Sequence, residues 1–303
     1  MAEQTYAWNN QIEYLKASRG SIWNDDYLEF LVQRVWKIDK PVRVVDFGCG
    51  LGYMGGLLLP ALPPGSTYTG IDKGDKLIEE ARSLFADSPW DTNFIVADLD
   101  EYIPEEQYDL AVCQCVLQHI PQAKRILDKM KRSVVPGGRV VCIELSRDVA
   151  NAAIHFDGLD LAELNVLGAA QKLRRLDHAR GGKDFCIGIK MPLYMQRAGL
   201  EQIDARVNDH MTIVNPHGDP QVHRRNLESY LAAYGTVASM TEDRREEVVR
   251  HLIERGLDER EAEIVFECER KMADYLREHR ETAFIVDASC SFITYGTRPR
   301  GDE

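Results

Sequence analysis

The chain reads as an α/β protein: a mostly parallel sheet of seven strands with helices on both faces, a helical N-terminal segment, and helical insertions. Three observations lead there. Short unbroken apolar runs alternate with helical segments between about residues 42 and 146, the pattern of parallel strands covered on both sides. A glycine-rich turn follows the first of these strands directly. After Leu145 the rhythm breaks, and two long stretches resume it only at Ile203 and Phe292.

Residues 1–40 carry the aromatics Tyr6, Trp8, Tyr14, Trp23, Tyr27, Phe30 and Trp36, and Asp25 to Ile38 has apolar residues at helical spacing. Val42 to Phe47 is the first strand and Thr67 to Ile71 the second, followed by a helix over Lys76 to Phe85. Phe94 to Ala97 and Asp109 to Cys113 are the third and fourth. A helix over Ala123 to Val134 and a turn at Pro136-Gly137-Gly138 lead to the fifth, Val140 to Leu145. Ile189 to Ala198 is helical, Ile203 to Val207 is the sixth strand and Phe292 to Thr297 the last. The stretches at about 146–187 and 210–284 read as helical insertions into one domain spanning 41–303. Asp258 and Glu261 are spaced as a capping box in the second. Both insertions leave from the carboxyl edge of the sheet, where open α/β sheets bind ligands, so they are expected to form a lid.

The charge narrows the function. With 37 basic and 49 acidic residues the formal net charge is −12, which repels a phosphate backbone and argues against a nucleic-acid substrate. Seven scattered cysteines without zinc-ligand spacing read as reduced thiols of a cytoplasmic protein, and no metal site is expected. No segment reads as a signal peptide or a membrane span.

The chemistry-bearing residues lie at successive strand ends. Val44-Val45-Asp46-Phe47-Gly48-Cys49-Gly50-Leu51-Gly52 is a strand running through an acid into a GxGxG turn. Tyr53 stands where a dinucleotide fingerprint would place its third glycine. Gly70-Ile71-Asp72 ends the second strand with a carboxylate able to accept both hydroxyls of a ribose. Asp98, beside Leu99, ends the third and can accept from an exocyclic amine such as that of adenine. Asp109 to Ile120 runs from the fourth strand into a loop under the same edge.

Together these pieces resemble the motifs of class I S-adenosylmethionine-dependent methyltransferases, in order, over about residues 40 to 146. The likeness is to a bacterial small-molecule type with a helical N-terminal segment. It implies a seven-stranded sheet whose final strand is antiparallel, with S-adenosylmethionine as cofactor. It implies that Asp46 and the backbone around Gly48, Cys49 and Gly50 hold the methionine moiety, and that Asp72 holds the ribose with Lys73 beside the adenine. Asp98 and Leu99 would hold the adenine, and the backbone at Gln114 would lie near the amino group or sulfonium. Tyr14, Arg19 and Trp23 are candidates for an aromatic helix closing over the cofactor, with Arg19 offered to its carboxylate.

Methyl transfer needs a base only where the acceptor carries a high-pKa proton or is carbon. His119 is the leading candidate, against a packing histidine that fixes its loop. Glu144, Asp209, His210, His155 and Asp157 are secondary. Tyr230, Tyr234 and Met240 read as core or as substrate contacts. A small-molecule acceptor is expected, and the aromatic N-terminal segment is a possible homodimer surface. An RNA or protein methyltransferase, an NAD(P)-dependent oxidoreductase and a non-catalytic cofactor-binding regulator are the alternatives.

Overall fold

The computed structural model describes residues 7–19, 23–104, 107–160, 166–208, 210–234, 242–288 and 290–301. A 3-10 turn (Ala7–Asn10) leads to α1 (Ile12–Arg19) and α2 (Asp25–Phe30), which continues as a π turn (Leu31–Val35). Then come β1 (Arg43–Phe47), α3 (Tyr53–Ala61), β2 (Thr67–Asp72), α4 (Asp75–Phe85), β3 (Asp91–Val96) and β4 (Tyr108–Gln114). A 3-10 turn (Leu117–His119) precedes α5 (Ala123–Ser133), β5 (Val134–Glu144), α6 (Arg147–Ala150), β6 (Ile154–Phe156) and α7 (Val166–Gly181). The rest is α8 (Met191–Arg197), β7 (Glu201–Val207), β8 (Met211–Val214), α9 (Pro220–Tyr234), α10 (Glu242–Glu254), α11 (Glu259–Glu278), β9 (Ile285–Ala288) and β10 (Phe292–Thr297).

The chain divides into two compact units. The first comprises Met1–Leu145, Ile187–Asp209 and Ser291–Glu303. Its seven-stranded sheet has the order β3-β2-β1-β4-β5-β10-β7. β10 runs antiparallel to both β5 and β7, while the pairs from β3 to β5 are parallel. Val44, Val45 and Phe47 are fully buried because β1 is covered on both faces. On one face Leu28, Leu31, Trp36, Met54, Leu58 and Ile78 pack against the sheet. On the other, α5 and α8 bury Ile126, Leu127, Met130, Met191 and Met195. Each such side chain contributes about 2 kcal/mol by leaving water.

The strand order reverses between β1 and β4, so the chain leaves these two strands in opposite directions and opens a crevice at their carboxyl ends. The glycine turn after β1 and the turn after β4 both lie there.

The second unit comprises Ser146–Cys186 and His210–Cys290. These stretches, helical by their sequence pattern, also contain a three-stranded antiparallel sheet, β6-β9-β8. Phe156, Val214 and Ile285 form a core with Leu227, Tyr230, Met272, Tyr275 and Leu276 of α9 and α11. A second cluster joins Ala169 and Leu173 of α7 to Val249, Leu252, Val265 and Phe266 of α10 and α11. The strands were missed because each has three or four residues and is held by partners far away in sequence, Ile154↔Asp287 and Thr212↔Asp287. The expected capping box is present: the Glu261 amide donates to Asp258 Oδ1 at 2.8 Å, and the Asp258 amide donates to Glu261 Oε2 at 2.9 Å.

Candidate functional site

The glycine turn is built by committing its first amides inward. Gly48 and Cys49 both donate to the Ile71 carbonyl, at 2.8 and 3.0 Å. These N–H groups are therefore spent on joining β1 to β2 and are not presented to a ligand. Gly48, at φ +80°, has Val116 so close that a Cβ would stand 2.6 Å from a methyl carbon. Gly50 differs. Its φ is +54° and no described residue lies within 4 Å of where a Cβ would be, so it is the point of the turn a ligand can approach closely.

Asp72 closes the turn from the next strand. Its Oδ2 accepts the Gly50 amide at 3.0 Å and its Oδ1 accepts the Gly74 amide at 2.8 Å. The residue is buried, which pushes its carboxyl above the ordinary aspartate value, while the Gly74, Gly50 and Lys73 amides pull the other way. Each oxygen has a second lone pair for a further donor.

Asp46 is the penultimate residue of β1, inside the sheet, and its Oδ2 accepts the Tyr68 hydroxyl at 2.6 Å. Burial, then the charge of Asp46, drives the Tyr68 hydroxyl well above its usual value, so this bond joins a neutral phenol to a carboxylate. The Cys49 thiol is likewise raised by burial and by Asp46 and Asp72, and packs as a neutral group.

Asp98 meets Lys73 at 2.6 Å and accepts the Asp100 amide at 2.9 Å. The lysine's hydrogen bond holds the Asp98 carboxyl below its ordinary range. Leu99 is buried among Val45, Phe47 and Ile71, and its carbonyl accepts Lys129 Nζ at 2.7 Å. Gln114 ends β4 buried, and its Nε2 has no hydrogen-bond partner among the described residues. A buried amide donor without an acceptor is costly unless a ligand supplies one.

The N-terminal segment lies on this edge. Asn9 Nδ2 donates to Asp75 Oδ1 at 2.6 Å, and Leu15, Trp8 and Ile12 pack with Leu51 and Leu77. Trp8 meets His119 edge to face, with ring centroids 5.3 Å apart. Tyr14 is 57% exposed on the outer face of this helix, while its neighbour Leu15 occupies the inner one. Trp8 was in view as one aromatic among several, with no signal to single it out. The Arg19 side chain lies outside the described residues. Trp23 is a core residue of the first unit, beside Leu28 and Leu31.

Among the secondary candidates, Glu144 binds the amides of the turn after β4. Asp209 and Met240 lie outside the described residues, as does the Tyr234 side chain. Tyr230 is buried in the second unit's core, and its hydroxyl donates to Asp287 at 3.1 Å. His155, Asp157 and His210 also belong to the second unit. All seven cysteines are free thiols. No helix among the described residues is long and apolar enough to cross a membrane.

Residues 45–140 match a family model described as a methyltransferase domain, the span that holds the glycine turn, Asp72, Asp98 and Gln114. The chain carries a methyltransferase domain.

Curated relatives share this domain. A ubiquinone biosynthesis O-methyltransferase of Xylella fastidiosa is 29% identical over 166 residues, covering 54% of this chain and 62% of that protein. One of Thiobacillus denitrificans is 30% identical over 165 residues, covering 52% and 64%. The corresponding Klebsiella pneumoniae protein is 29% identical over 109 residues, covering 35% and 43%. The matches thus span less than two thirds of these relatives' own length. Among solved structures, the [4+2]-cyclase SpnF superposes with a TM-score of 0.51 at 15% identity, covering 97% of this chain and 94% of its own. A phosphoethanolamine N-methyltransferase of Haemonchus contortus gives 0.50 at 14% identity, covering 98% and 59%. These two likenesses establish the fold of the methyltransferase domain.

Proposed function

We propose that this protein transfers a methyl group from S-adenosylmethionine to a small-molecule acceptor, with oxygen as the accepting atom. The observation that carries the cofactor reading is the Asp72 carboxylate, bonded to the Gly50 amide at the mouth of the glycine turn. The orphaned Nε2 of Gln114 and the open face of Gly50 fit the same ligand. The oxygen acceptor is supported by the names of the curated relatives, which are O-methyltransferases.

In this reading Asp72 accepts the ribose hydroxyls through its free lone pairs, and Asp98, kept ionised by Lys73, accepts the adenine amine. Gly50 lets the methionine moiety pass close to the backbone, beside Asp46 and Gln114. When bound, the cofactor supplies an activated methyl group and leaves as a thioether. The chain's own work is alignment and exclusion of water, with a ring nitrogen of His119 taking the acceptor's proton.

The net charge of −12 supports a neutral or cationic acceptor over a nucleic acid, and the free thiols support a cytoplasmic setting. A homodimer keeps less support, since Trp23 and Trp36 are spent in the first unit's own core; sedimentation decides it.

Calorimetry on the full chain with S-adenosylmethionine and S-adenosylhomocysteine, with NADH and NADPH as controls, tests the reading. Micromolar binding of the adenosyl pair alone, lost in Asp72→Ala, is the expected result. Binding of a nicotinamide cofactor, or of nothing, overturns it. Cofactor binding without turnover of any phenol, alcohol or carboxylic acid in a screen points instead to a regulator.

A further inference from the structure

The turn after β4 is held from the next strand by one carboxylate. Glu144 ends β5 and has no exposed surface. Its Oε1 accepts the amides of Val116 and Leu117 at 3.0 and 2.8 Å, and its Oε2 faces the Gln118 amide at 3.4 Å. These N–H groups open the 3-10 turn Leu117–His119 and have no partner within it. The preceding residue, Cys115, sits at φ +56°, a conformation that costs a non-glycine residue about 1 kcal/mol. The turn is therefore strained at its entrance and pinned by Glu144 immediately after.

What the pinned turn touches gives the clamp its consequence. Val116 packs onto Gly48 of the glycine turn, and His119 meets Trp8 of the N-terminal segment. One side chain on β5 thereby sets a wall of the cofactor site and the position of the base candidate.

We propose that Glu144 is a positioning residue whose ionised carboxylate clamps the turn after β4 and so sets cofactor affinity. The inference rests on reading the glycine turn as a cofactor site. An ionised carboxylate is acceptor-only and makes charge-assisted bonds to the three amides; a protonated one brings a donor to a cluster of donors. Burial pushes the Glu144 carboxyl up to about 7, against the pull of the Leu117, Val116 and Gln118 amides and the Cys113 thiol. The Cys113 thiol lies 3.9 Å from Oε1, and Cys113 is held well above its usual value by its bond to Cys142 and by burial, with the charges of Glu144 and Asp46 acting the same way. The carboxylate thus changes charge where the cysteine beside it does not.

The test pairs Glu144→Gln with wild type, both as the full chain. Amide hydrogen exchange of ligand-free protein reads the clamp, and calorimetry with S-adenosylhomocysteine between pH 6 and 8 reads its consequence. In the variant, the amides of residues 116–118 are expected to lose protection at pH 8 while those of β1 and β4 keep theirs. Cofactor affinity is expected to fall by about tenfold, the scale of one charge-assisted bond. Wild-type affinity is expected to rise from pH 6 to 8, and the variant's to stay flat. Unchanged protection of 116–118, or a variant with wild-type affinity and pH profile, overturns the clamp. A wild type that binds no S-adenosylhomocysteine overturns the cofactor reading and with it the claim on affinity, while the exchange data still decide the clamp.

Discussion

The carboxylate of Asp72 accepts the amide of Gly50 at 3.0 Å, so the last residue of β2 and the second glycine of the turn after β1 are one hydrogen-bonded unit. A second bond to the Gly74 amide fixes the same side chain from its own loop. Asp72→Ala removes both acceptors. Its expected cost is about 2 kcal/mol of stability, from two stranded amides, together with loss of at least tenfold in S-adenosylhomocysteine affinity. Thermal unfolding beside calorimetry separates the two effects. A variant that is destabilised yet binds as wild type would make Asp72 a purely structural residue.

The two glycines of the turn are expected to fail in different ways. An alanine at Gly48 must displace Val116, 2.6 Å away, and adopt φ +80°, so Gly48→Ala should lose roughly 2–4 kcal/mol of stability. Gly50→Ala meets nothing among the described residues and carries only the conformational cost of φ +54°, about 1 kcal/mol. Its methyl group fills the space offered to the ligand, so affinity should fall more than stability. Unfolding curves and cofactor titrations on both variants check the contrast, and equal affinity losses would refute it.

Glu144 gives a pH dependence whose sign follows from its environment. Its folded value of about 7 lies above the ordinary 4.5. The folded state therefore favours the protonated acid. This contribution is fully present below about pH 4.5 and is lost as pH rises through about 7. Its full span is on the order of 3 kcal/mol. Wild type should lose thermal stability between pH 6 and 8 relative to Glu144→Gln, which has no proton to lose. Stability and cofactor affinity then move in opposite directions over one pH window, so a shared direction would falsify the assignment.

In the second unit, Tyr230 donates to a half-buried acid, Asp287, at 3.1 Å. Burial raises the Asp287 carboxyl, while Tyr230, Arg147 and His210 lower it. Tyr230→Phe removes the largest stabiliser of the ionised form and should push the carboxyl higher. The variant should cost about 1 kcal/mol near pH 7 and less in acid, where the proton is bound in either protein. Urea unfolding followed from acid to neutral pH measures it; a cost independent of pH would mean that this bond does not favour the ionised form of Asp287.

Asp258→Ala opens the capping box of α11 and should cost about 1 kcal/mol. The loss should show first as faster amide exchange over residues 259–262. An intact protection pattern there would mean that packing of Ala262, Val265 and Phe266 holds the helix start unaided.

The alternation of apolar runs and amphipathic helices between Val42 and Leu145 determined the sheet, because a strand buried on both faces and a helix buried on one carry different periods in the chain itself. The same local logic marked the glycine turn, Asp72 and Asp98: each lies at or just past the end of a strand, and parallel strands bring such ends to one edge. The Asp258 capping box was legible for the same reason. What the linear order did not contain was decided in three dimensions. The clamp of Glu144 on Val116 and Leu117 joins residues 28 and 27 positions apart, and a lone acid at a strand end looks alike whether it caps, binds or catalyses. The inner face of α1 went to Leu15 rather than Tyr14 because Leu51 and Leu77 stand opposite, which no helical period of so short a segment reveals. The sheet of the second unit exists only through pairings such as Phe156↔Ile285, where strands of three and four residues gain their stability from each other and from the helices packed on them.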